Sequence, residues 1–112
     1  MTNTIQIRLQ VPTTVDTFEI KLPYYFTSGN LVKSFCCMTE EFTLIELYQS
    51  KGHMISIDVH HYDDQDEVIT CLERCMHNQN YQVIDESVFH HHFSEAHRNV
   101  FYAVNHKLKP IE

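Results

Sequence analysis

Four cysteines, nine histidines and a run of acids are the side chains of this 112-residue chain that could do chemistry. The densest group is "VFHHHFSEAH", Val88 to His97, with three histidines in succession. Neighbours on a helix diverge by about 100°. With Phe89 as reference, Phe93, Ala96, Val100, Ala103 and Val104 fall within roughly 60° and form an apolar stripe. His92 then sits at one border of the stripe. His90 sits at the other, beside His97 and Phe101, while His91 points away with Glu95, Arg98 and Tyr102. Three rings that diverge cannot share a metal ion.

Zinc needs ligands about 2 Å from one centre, which helical pairs reach at a spacing of three or four. No His-x-x-x-His occurs; the eligible pairs are His91 with Glu95, Glu73 with His77, and Cys71 with Cys75. Cys71 and Cys75 share the apolar face of a predicted helix. His61, at a strand end, and one of Cys36 or Cys37 could converge on them, which makes a zinc site of Cys71, Cys75 and His61 one alternative. The spacing is not that of a zinc ribbon or finger, where ligands come from tight Cys-x-x-Cys turns. Small thiols are common core residues, and packing is the favoured role.

Catalytic patterns are missing. The sequence has no Gly-x-Ser-x-Gly elbow and no His-Glu-x-x-His, and its two glycines are too few for a phosphate loop. Asp63, Asp64 and Asp66 lack the glycine and terminal glutamate of a calcium loop, so a charged helix start is expected there. Neither an enzyme nor a cofactor is expected.

The net charge of −7 argues against nucleic acid, because no Lys/Arg cluster exists to neutralise phosphates. From Gly52 to Glu73 there is no Lys or Arg, while Asp58, Asp63, Asp64, Asp66, Glu67 and Glu73 accumulate. Such a face suits a basic protein partner, and equally keeps a protein soluble. No apolar run approaches the ~20 residues of a membrane span. "MTNTIQIRLQV" lacks the basic start and apolar block of a signal peptide, so a cytoplasmic location with reduced thiols is expected.

The elements that must position these residues read as strands first and helices last. "TIQIRLQV" and "TFEIKL" alternate with period two and predict a hairpin. "PYYFTSGN" reads as a turn. "LVKSFCCM", "FTLIELYQ" and "HMISIDVHHY" read as further strands of a meander, and "YQVI" as a short last one. From Asp63 the period becomes helical, with Val68, Cys71, Leu72, Cys75 and Met76 in register. Asp85 reads as the N-cap of a long helix from Glu86 to about Lys107, with Ile84 and Phe89 as a hydrophobic staple. The expectation is a single α+β domain, residues 1–62 sheet and 63–112 mainly helical, with both helices on one face of a five- or six-stranded sheet.

On that arrangement Phe35, Phe42, Leu44 and Tyr48 would lie on the uncovered sheet face. Together with His97, Phe101 and Tyr102 on the flank of the long helix, and with Asp63, Asp64 and Asp66, they are the candidate partner-binding residues. The leading expectation is a small cytosolic interaction protein, an adaptor or inhibitor of the kind phages and mobile elements encode, acting as a homo-oligomer. The alternative is a small-molecule pocket, between sheet and helices or at an oligomer interface, lined by Tyr24 and Tyr25.

Overall fold

The computed structural model describes the backbone of residues 4–11, 14–30, 32–50 and 53–107, and their side chains apart from 9–11, 14–16, 18, 50, 53–55 and 100–107. The chain is an α+β domain. Strands β1 (Thr4–Val11) and β2 (Thr14–Lys21) pair antiparallel as a hairpin that forms a sheet of its own. Ile5, Ile7 and Ile20 are buried while Arg8 and Glu19 are exposed, so period-two alternation decides which side faces inward.

The main sheet contains β3 (Tyr24–Ser28), β4 (Ser34–Met38), β5 (Thr43–Ser50), β6 (His53–His61) and β7 (Gln82–Val83), in the order β6-β5-β4-β3-β7. The expected turn "PYYFTSGN" is therefore mostly strand. Aromatic and hydroxyl side chains suit a pleated surface, and Tyr24 to Ser28 pair residue for residue with Met38 to Ser34. The turn falls after it, at Gly29, whose φ of 100° is open to glycine. A Cβ there would stand 2.0 Å from the Val32 carbonyl oxygen. The third and fourth predicted strands also begin later than expected, at Ser34 and Thr43, the latter because Phe42 occupies the corner before it with φ 61°.

Helix α1 spans Gln65–Met76 and α2 spans Glu86–Lys107. They pack on opposite faces of the sheet, which corrects the expected one-sided arrangement. The cause is the two-faced apolar character of the central strands. On one side Phe26, Cys36, Met38 and Leu44 pack with Val68, Cys71 and Leu72 of α1 and with Ile5, Ile7 and Ile20 of the hairpin. On the other side Phe35, Cys37 and Leu47 pack with Phe89 and Ala96 of α2, and Tyr25, Ile45, Ile57, Ile84 and Phe93 complete that layer. One-sided coverage would leave one of these two cores in water, at a cost of about 25 cal/mol per Å². Among the described residues no helix is long and apolar enough to cross a membrane.

Candidate functional site

The long helix does not seal the sheet along its whole length. A cleft of about 470 Å³ opens between α2 and strands β3 to β5. Tyr25, Cys37 and Ile45 make its floor, since alternation turns these side chains towards α2. Phe89 and Phe93 make the helical wall, with the Tyr25 and Phe89 ring centroids 5.5 Å apart. His90 closes one flank, 6.0 Å from the Tyr25 ring and 3.4 Å from Glu86. Pro23 and the β4–β5 turn, with Thr39, Glu40 and Glu41, form the mouth.

The electrostatics of this cleft have one sign. Glu40 and Glu41 line it, and the charge of Glu86 reaches Tyr25 and Cys37. Among the described residues, no Lys or Arg lines it. Burial first, then the nearby Cys37 and Glu86, raises the Tyr25 phenol to about 12. Burial likewise raises Cys37 to about 11, although Tyr25 donates a hydrogen bond to its sulfur. Both groups are neutral at ordinary pH, so the floor is apolar and the fixed charge belongs to the rim.

The remaining candidate residues are dispersed. Phe35 and Leu44 are buried, and they lie on opposite faces of the sheet. They therefore do not form the exposed patch expected from the sequence, because each face has its own helix. Phe42 packs at the edge of the α1-side core, and Tyr48 is half-buried with its hydroxyl donating to Glu46 at 3.0 Å. His97 is exposed, its ring stacked 6.3 Å from Phe93. The side chains of Phe101 and Tyr102 lie outside the described residues. Tyr24 and Tyr25, predicted as one pocket wall, point to opposite faces; Tyr24 bonds Tyr81 through its hydroxyl, and only Tyr25 lines the cleft.

Asp64 is the N-cap of α1, accepting from the Glu67 amide at 2.9 Å, while Glu67 returns to accept from the Asp63 amide at 2.8 Å. The acid cluster thus begins a helix, with Asp63 and Asp66 left exposed beside it. The structure does not bring the zinc alternative together: His61 pairs with Thr43 and bonds its hydroxyl, while Cys71 is buried in the α1-side core. Among the described residues no three His, Cys, Asp or Glu side chains are placed to hold a metal ion. The three consecutive histidines diverge as helical geometry requires: His90 meets Tyr25, His92 stacks on Phe35, and His91 is exposed.

Sequence reasoning named Tyr25 but missed Phe89, Phe93, Glu40 and Glu41 as parts of one site. Phe89 and Phe93 stood in the predicted core stripe, and only the stripe's incomplete coverage makes them a wall. Compared with known proteins, the chain matches no family model, no curated protein and no solved structure.

Proposed function

We propose that the chain is a small non-enzymatic binding protein, an adaptor or inhibitor, whose cleft under α2 receives a basic, apolar-tipped segment of a protein partner. One observation carries this reading: an apolar floor and wall with the carboxylates of Glu40 and Glu41 at the mouth, and no Lys or Arg among the described lining. Such a site rewards an inserted apolar side chain with burial and a neighbouring Lys or Arg with charge complementarity, which also steers encounter. A second copy of the chain is the weaker occupant, because each copy carries a net charge of −7 and like charges oppose docking at an acidic mouth. Homo-oligomerisation remains a proposal, read directly by native mass spectrometry.

The test is selection of random phage-displayed peptides against the wild-type protein, followed by NMR titration of a recovered peptide. Sequences with an aromatic or aliphatic residue beside Lys or Arg, shifting the amides of Tyr25, Phe89 and Phe93, support the reading. Failure to enrich any sequence, or shifts confined to the α1 side, overturns it. The volume of about 470 Å³ also falls in the range of small-ligand pockets, about 300–1,000 Å³, which favours a cationic apolar small molecule as the second reading. Native mass spectrometry of protein purified without chelator separates the two, since a retained organic ligand adds mass to the chain.

A further inference from the structure

The α1 side of the sheet carries chemistry of a different kind. An opening of about 300 Å³ lies between α1 and strands β4 and β5, with Cys71, Cys75, Arg74 and Tyr62 on its walls. Cys71 is 2% exposed and forms part of the floor. The Tyr62 hydroxyl donates to its sulfur at 3.3 Å. Cys75, one helical turn further on, directs its S–H to the same sulfur, and the Arg74 guanidinium adds positive charge nearby. The bond from Cys75, helped by that from Tyr62 and by the charge of Arg74, brings the Cys71 thiol down to about 6 against the opposing effects of burial and the Glu46 carboxylate.

The other thiols behave differently. Burial holds Cys36 near 12 and Cys37 near 11. Cys75 moves upward, because its proton is shared with the Cys71 sulfur and its surroundings are buried. One sulfur in the group is thus lowered towards its thiolate form beside the Tyr62 hydroxyl, and an opening leads to it.

We propose that Cys71 is a reactive thiol, modified by small hydroperoxides that enter the opening between α1 and the sheet. The sulfur lone pair attacks one peroxide oxygen, so that an S–O bond forms as the O–O bond breaks. The thiolate is oxidised to a sulfenic acid. The peroxide is reduced, and its second oxygen leaves as hydroxide (from hydrogen peroxide) or alkoxide (from an organic hydroperoxide) and takes a proton from solvent. The sulfenic acid is not resolved as a disulfide. Side chains four apart on a helix have Cβ atoms about 5–6 Å apart, whereas a disulfide needs about 3.8 Å, so Cys75 cannot close onto Cys71 while α1 is intact. Cys36 is engaged by Ser34 and Glu46, and Cys37 faces the other side of the sheet. The inference does not depend on the cleft under α2.

The experiment treats the folded full chain with hydrogen peroxide in the presence of dimedone and maps adducts by peptide mass spectrometry. A single adduct on Cys71, with the other cysteines labelled only after unfolding in guanidinium, is the expected result. Labelling of all four alike, labelling of Cys75 in place of Cys71, no adduct, or a Cys71 disulfide would overturn the proposal. Tyr62→Phe provides the second measurement. The inflection in the pH profile of Cys71 alkylation by iodoacetamide should move upward from about 6 as one donor is lost. An unmoved inflection would remove Tyr62 from the account.

Discussion

Among the described residues, His92 carries the one buried side-chain polar atom without a hydrogen-bond partner, its Nδ1. Its ring stacks 4.0 Å from Phe35, and the nearest acid, Glu95, stands at 3.8 Å. Lys33 lies 5.5 Å over the same Phe35 ring, so a cation already occupies this neighbourhood. Burial, then the adjacent His91, lowers the His92 pKa below 6.5, and Glu95 offsets only part of this. The folded state therefore binds fewer protons than the unfolded chain just below that value. The contribution is present above about pH 6.5 and is lost as pH falls through it. The urea midpoint should accordingly drop between about pH 7.5 and about pH 5.5, and drop less in His92→Phe, which keeps the stack and removes the titration. Equal drops in the two proteins would assign the effect to the other histidines. The sequence placed His92 at the border of the apolar stripe, but nothing local could show that the ring it meets comes from β4.

At the scale of elements, the start of α1 is the clearest case of local chemistry deciding a boundary. Asp64→Ala removes the acceptor for the Glu67 amide and should cost about 1 kcal/mol in chemical denaturation, as N-cap losses do. Asp66→Ala, exposed and outside that pair of bonds, should cost a few tenths at most. The hairpin, both helices and the short β7 were legible because period two and period 3.6 survive wherever one face is wet. Strand β3 was not, since Pro23 and Gly29 bracket it and disguise five paired residues as a turn. The β4–β5 corner was hidden for the opposite reason. Phe42 takes a left-handed conformation that normally announces itself with glycine or asparagine, at about 1–2 kcal/mol, and its ring packs against the core in compensation. The placement of the helices was the main reading the sequence could not settle, because apolar residues on both faces of a strand say that both are covered without saying by what.

At the scale of the whole molecule the outline is long. The radius of gyration is 16.2 Å and the principal extents are 64 × 31 × 23 Å, against about 13 Å for a compact chain of this length. A monomer should elute from a sizing column ahead of globular standards of equal mass, while light scattering returns 13.3 kDa. A scattering mass of twice that value would establish a dimer. The cleft belongs to this scale as well, since it exists only where α2, the β4–β5 turn and the sheet meet. Replacing Glu40 and Glu41 together by Lys should weaken a selected basic peptide by about tenfold or more in calorimetric titration. Unchanged affinity would mean that the acidic rim does not recognise the peptide.

The division of the core between two faces gives the vicinal cysteines an unusual property. Cys36 and Cys37 are joined by a single peptide bond, yet one is shielded by α1 and the hairpin and the other by α2. Each becomes reactive only when its own covering lifts. The rates at which the two are trapped by an alkylating agent therefore report two local opening equilibria from one place in the chain. Unequal rates would mean that the halves breathe independently about a shared sheet. A common rate would mean that they open only as one.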